Sequence, residues 1–332
     1  MKTFRLFTLL LLLLCLPCSA QGQAGQITAQ LHGEKAQGSY YLDTLQNIAQ
    51  LPGGSTHASK EEIAAQQPGD SAKVSDYLFT VKKGAATFQI MGSIHVAKGM
   101  ELSDTVKSLI EWADEIFFEV DMKDMTDPQL TFRILPLMRL PDGKSLKDIY
   151  EPDKVKILKE RFKKAGLAWS VMKHYKPIFG AFSAASVAAM KQEVAAEPGT
   201  EYKVYDYAQK FNKPTGGFET VEFQISLFDS LDYDTQFEMA LSIFDRIDSL
   251  ASDLDDILSA FQSGNISEFG KVLDDDPMTQ NNQFNRIFLL DRNKKWAQKI
   301  EELAASAPKK YLIVVGTAHL IGTGSLIELL SR

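Results

Sequence analysis

Two histidines in this chain share one setting: each closes a Gly-[Ser/Thr]-x-His tetrad directly behind an apolar run. Phe88 to Met91 leads into Gly92-Ser93-Ile94-His95, and Tyr311 to Val315 leads into Gly316-Thr317-Ala318-His319. Glycine removes a Cβ and permits close approach, a Ser or Thr hydroxyl can orient a neighbouring group, and imidazole binds divalent metals or carries a proton. Two carboxylates stand in comparable places: Glu119 in the run Glu115 to Asp121, and Glu219 behind Lys213 to Phe218. Two imidazoles and two carboxylates at four strand ends are the donors that a hard or borderline divalent metal takes, with a carboxylate also able to act as general base. Pattern alone carries little weight, because Gly54-Ser55-Thr56-His57 matches it with no strand before it. The strand context selects His95 and His319. Gln224 beyond Glu219, and Arg292-Asn293 before Trp296, have plain readings as surface polar groups and a core tryptophan. His174 has no partner in the pattern, and His32 and His57 lie in a polar leader, so none of the three is given a role.

Side chains just past strand C-termini face the ligand crevice of an open α/β sheet. Strand and helix patterns alternate as that architecture requires. Tyr77 to Val81 and Ala86 to Met91 read as a hairpin around Lys83-Gly84, and Glu115 to Asp121 and Lys213 to Phe218 as short buried strands. Lys310 to Val315 is a nearly unbroken apolar and β-branched run, typical of a central strand. Helical spacing covers Pro152 to Lys164, Ile178 to Lys191, Tyr233 to Phe261 and Phe284 to Ala305, and Asp253, Asp255 and Asp256 read as a solvated helix face. The expected fold is α/β, a mostly parallel central sheet covered by helices, with a helical middle subdomain or cap at about 123–212.

The chain has 332 residues, 45% hydrophobic and 24% charged, enough for a large core. Its formal charge of -7 argues against a nucleic-acid partner. Residues 1–20 read as a secretory signal: Lys2 and Arg5, an apolar Phe7 to Leu16, and a small-residue site predicting cleavage after Ala20. The expected location is periplasmic or secreted, with no stable membrane anchor once the signal is removed. Residues 21–75 read as a loosely ordered polar leader with a short helix near Tyr40 to Leu51, and residues 76–332 as the α/β domain. Both cysteines, Cys15 and Cys18, lie in the signal, so metal ligands in the mature chain must be His, Asp, Glu or backbone oxygen.

The ordered set of motifs resembles the TraB/GumN family, which includes the Tiki proteases. The likeness rests on Gly92-Ser93-Ile94-His95, Ala113-Asp114 to Asp121, Gly217-Phe218-Glu219-Thr220 with Gln224, Arg292-Asn293 with Trp296, and Val315 to Leu320 with Gly322. It implies a hydrolase dependent on a divalent metal such as Mn, Co or Zn, with peptide bonds as the substrate class of the Tiki branch. In the mechanism expected from it, His95, His319 and Glu119 hold the metal and Glu219 takes the proton of the attacking water. Arg292 stabilises the oxyanion, and Asn293 and Gln224 orient substrate or ligands; the two glutamates can exchange roles. Two rival readings stand beside it: a periplasmic protein that binds a peptide or haem without catalysis, and a metal-free hydrolase resembling the erythromycin esterase group. The partner in each case is a peptide or small molecule, and assembly into a homo-oligomer stays open.

Overall fold

The computed structural model describes residues 73–74 and 77–331, apart from 193, 195–196 and 307. The expected signal with its cleavage point, the leader helix and the His57 tetrad lie outside the described residues.

Five strands form the central sheet. Strands β1 (Leu78–Lys83) and β2 (Ala86–Ser93) make an antiparallel hairpin whose turn places Gly84 at φ 58°. Strands β3 (Glu115–Val120), β4 (Thr215–Glu219) and β5 (Lys310–Gly316) complete it in the order β1-β2-β5-β3-β4. All pairings beyond the hairpin are parallel, so β2, β5, β3 and β4 end at the same edge. The last strand in sequence is the middle one in space. Leu312, Ile313, Val314 and Val315 are all at or near zero exposure, as an unbroken apolar run requires when helices cover both faces.

Alternation along the strands divides the core in two. Ile116, Phe118, Leu312 and Val314 face the larger helical layer, and Phe88, Ile90, Phe117, Tyr311 and Ile313 face a smaller cluster that contains Trp296, Ile300, Leu326 and Leu330. Helix α1 (Asp104–Trp112) links β2 to β3 and is capped by Ser103, whose hydroxyl accepts from Val106 N at 3.2 Å. Between β3 and β4 lie α2 (Pro152–Ala165), α3 (Pro177–Lys191) and α4 (Thr200–Gln209). Proline in the first turn and left-handed Gly166 bound α2. The next crossover carries α5 (Val221–Ser226), α6 (Tyr233–Arg246), α7 (Leu250–Gln262), α8 (Ile266–Asp274) and α9 (Asp291–Ser306). A short α10 (Leu326–Leu330) follows β5. Among the described residues no helix is long and apolar enough to cross a membrane.

Two helix expectations need correction. The stretch from Tyr233 to Phe261 is not one helix: a 3-10 turn at Ile247–Ser249 separates α6 from α7. Asp253, expected in water, is 5% exposed and accepts from Arg246 Nε at 3.0 Å and Ser249 Oγ at 2.9 Å, so the bend is held by a buried ion pair. Asp255 does face outward, paired with Lys98 at 3.0 Å. The late helix also departs from regular winding. A π-helical turn at Arg286–Leu290 precedes α9 and sets the angle from which Arg292 and Asn293 enter the sheet edge.

The two tetrads pack directly on each other. A Cβ on Gly92 would stand 2.6 Å from Thr317 Oγ1 and 2.8 Å from Tyr77 Cβ, and that threonine hydroxyl donates to Ser93 O at 3.0 Å. Gly92→Ala is therefore expected to cost about 1–3 kcal/mol by overpacking, read as a lower urea midpoint with an unchanged slope. A midpoint equal to wild type would show that the contact yields freely.

Candidate active site at the sheet edge

The four parallel strands deliver the four expected residues to one place. His95 follows β2, Glu119 is next to last in β3, Glu219 ends β4, and His319 sits in the short turn after β5. Arg292 and Asn293 enter from the first turn of α9, and Gln224 from α5, whose start is capped by Thr220. Glu119, Arg292, Asn293 and His319 are 8%, 5%, 1% and 3% exposed, whereas the His95 side chain keeps 20% and forms the accessible side of the cluster.

Arg292 is the hub. Its Nη2 donates to Glu119 Oε2 at 2.6 Å and Glu219 Oε2 at 2.8 Å, and its Nε donates to Glu219 at 3.0 Å. Nη1 donates to Phe288 O at 3.0 Å and lies 3.1 Å from His319 Nε2. The guanidinium also lies over the Trp296 ring, 4.6 Å from its centroid. Every nitrogen of Arg292 thus has a protein partner: as the side chains stand, it clamps the carboxylates and His319, and its donors are engaged by the protein. Gln224 Nε2 donates to both Glu119 Oε2 and Glu219 Oε2 at 3.2 Å, a second cross-link between the carboxylates.

The histidines are oriented from behind. Asn293 donates through Nδ2 to Gly324 O at 3.0 Å, which turns its Oδ1 towards His319 Nδ1 at 2.7 Å. His95 Nδ1 lies 2.7 Å from Glu201 Oε1. When the rings are neutral, with each Nδ1 donating to an oxygen, each Nε2 carries the lone pair. A Cβ on Gly316 would stand 3.1 Å from Glu119 Oε1, 3.7 Å from His95 Nε2 and 3.7 Å from His319 Cδ2. The three side chains therefore ring one gap that the missing Cβ leaves open. Gly316 N also donates to Glu119 Oε1 at 2.7 Å and fixes that oxygen at the rim.

Charge is distributed unevenly over the cluster. Burial would raise the Glu119 carboxyl, but Arg292, His319 and His95 outweigh it and hold it well below the usual carboxylate range. Burial, helped by Arg292 and His95 and opposed by Glu119, pushes His319 down to about 3. Burial acts on His95 in the same direction, yet Glu201 and then Glu119 overcome it and push it up to about 9. Arg292 stays charged: burial is outweighed by the two glutamates.

All seven residues singled out in the sequence, His95, Glu119, Glu219, Gln224, Arg292, Asn293 and His319, are brought together. Trp296 is core, 1% exposed, and also packs on the His319 ring at 4.4 Å between centroids. His174 lies away from the cluster, its Nδ1 3.0 Å from Lys144 O. Glu201 was not singled out; its one local signal is the Gly199-Thr200 pair that opens α4.

The chain matches the model of the TraB/PrgY/gumN family over residues 77–332 and belongs to that family. No curated protein and no solved structure matches it.

The donors around the Gly316 gap suit a divalent cation: His95 Nε2, a Glu119 oxygen at the rim, and His319 Nε2 if Arg292 Nη1 releases it. As the side chains stand, no three His, Asp or Glu among the described residues form a group that could hold a metal, and Arg292 Nη1 lies 3.1 Å from His319 Nε2.

Proposed function

We propose that this protein is an exported hydrolase that uses a divalent metal, Mn, Co or Zn, and acts on peptides. The observation that carries the reading is the pair of imidazoles whose Nδ1 atoms are committed to oxygens, with His95 Nε2, the edge of the His319 ring and Glu119 Oε1 around one gap. His95, His319 and Glu119 would hold the cation. When bound, such a cation supplies Lewis acidity that polarises a carbonyl and acidifies a water molecule. Glu219 would accept the proton. Glu119 edges the gap above Gly316, whereas Glu219 bonds only to Arg292 and Gln224 among the described residues, which favours Glu119 as ligand and Glu219 as base. Arg292 bonds to both buried carboxylates and offsets their charge. Asn293 holds the His319 ring, and Gln224 keeps the two carboxylates at a fixed separation. The signal pattern of residues 1–20 supports export.

A second reading is metal-free hydrolysis. Arg292 Nη1 beside His319 Nε2 favours it, since the guanidinium then needs no rearrangement and His95, made basic by Glu201, moves the proton.

Metal content decides between them. About one Mn, Co or Zn per chain is expected after loading and dialysis, lost in His95→Ala and His319→Ala together with metal-stimulated peptide cleavage. A folded wild type that takes up none of the three overturns the metal reading, and peptide cleavage without metal establishes the second.

A further inference from the structure

We propose that Glu201 is a positioning residue for His95, and that the helical insert between β3 and β4 therefore completes the site instead of only covering it. Glu201 stands at the second position of α4, 8% exposed, with Oε1 2.7 Å from His95 Nδ1. Its Oε2 is buried with no hydrogen-bond partner among the described residues. A buried carboxylate with one oxygen unsatisfied is costly, and it is tolerated where the other oxygen makes a strong charge-assisted bond.

The surrounding backbone is built for this one contact. Thr200 is fully buried: its N donates to Ile94 O at 2.9 Å, and its hydroxyl accepts from Ile94 N at 3.1 Å. Val96–Ala97 pairs antiparallel with Glu197–Pro198, and Gly99 N donates to Glu197 Oε1 at 3.0 Å. The loop carrying His95 is thus clamped along its length to the start of α4. Gly199 makes the approach feasible, since a Cβ there would lie 2.5 Å from His95 Cα, 2.5 Å from Ile94 O and 2.6 Å from Glu201 Oε2. His319 has Asn293 as its equivalent support, so each imidazole has its own oxygen partner, one neutral and one anionic.

The consequence is a fixed tautomer. A carboxylate facing Nδ1 requires the proton on that nitrogen and leaves the Nε2 lone pair directed at the Gly316 gap. A free imidazole has no such constraint.

The inference rests on the proposed metal site for its purpose, but its test does not. With histidine labelled with nitrogen-15, at a pH where the ring is neutral, long-range proton–nitrogen correlation reads the tautomer of each of the five histidines directly, and the spectrum of His95→Ala identifies His95. Wild type is expected to show His95 in a single form protonated on Nδ1. Glu201→Ala is expected to lose that form. Glu201→Gln, which retains an acceptor oxygen, is expected to keep it. In the same variants, Zn titrated alone is expected to bind Glu201→Ala about 10–100-fold more weakly than wild type and Glu201→Gln nearly as tightly. An unchanged His95 tautomer in folded Glu201→Ala overturns the proposal. Failure of wild type to take up Zn, Mn or Co overturns the metal reading instead, and the tautomer result still decides the role of Glu201.

Discussion

Arg292→Met is expected to destabilise the folded protein by about 3–5 kcal/mol, because it leaves two buried carboxylates facing each other without their common cation. Glu119 and Glu219 lie within 2.6 and 2.8 Å of one guanidinium nitrogen, and Gln224 is their remaining shared donor. Methionine keeps much of the volume over Trp296, so lost packing is a minor part of the effect. Urea unfolding followed by circular dichroism measures it. Adding Glu219→Gln to Arg292→Met is expected to recover a substantial fraction, since one of the two stranded charges is then gone. A single variant within about 0.5 kcal/mol of wild type would mean that the carboxylates find protons or water without Arg292, and the clamp would be wrong.

Turnover of a peptide substrate is expected to fall about 100- to 10,000-fold in Glu219→Gln, the range a general base contributes, with metal content unchanged. Glutamine preserves the shape and can still accept from Arg292, so the loss reports on proton transfer. Glu119→Gln should differ in kind. It removes the charged oxygen proposed to hold the cation at the rim of the Gly316 gap, so metal and turnover are expected to disappear together. Metal analysis alongside initial rates separates the two glutamates. Loss of metal in the Glu219 variant and its retention in the Glu119 variant would reverse the assignment, and full turnover in both would remove the carboxylates from the chemistry.

Much of this site was legible because its residues sit at discontinuities of pattern. Apolar runs that stop at Gly92 and Gly316 announce buried strands meeting a crevice, and Glu119 and Glu219 are charges at the ends of otherwise apolar or glycine-rich strands. The topology then forces strand C-termini to one edge. Glu201 was not legible, because its meaning comes from His95, more than one hundred positions earlier, and Pro198-Gly199 reads as loop punctuation in any context. The bonding of Arg292 was not legible for a related reason. Residue type predicts donors, but only packing shows that all of them are already engaged. The break at Ile247–Ser249 carries no glycine or proline; it is set by tertiary bonds, from Arg246 to Asp253 and from Gln192 Nε2 to Ile247 O at 2.7 Å. Local propensity contains no record of such partners.

The position of β5 has a bearing on how the molecule comes into being. The strand that joins β2 to β3 comes last of the five in sequence, so during synthesis the two earlier strands have a vacancy between them until it emerges. Long-range parallel pairing is intrinsically slow, and here it also waits for β5. His95 and Glu119 stay on separate pieces of sheet until Gly316 arrives to supply the floor between them and His319 arrives with it. The cluster of His95, Glu119, Glu219 and His319 is thereby kept unassembled until β5 joins, and the same event that closes the sheet brings its side chains together.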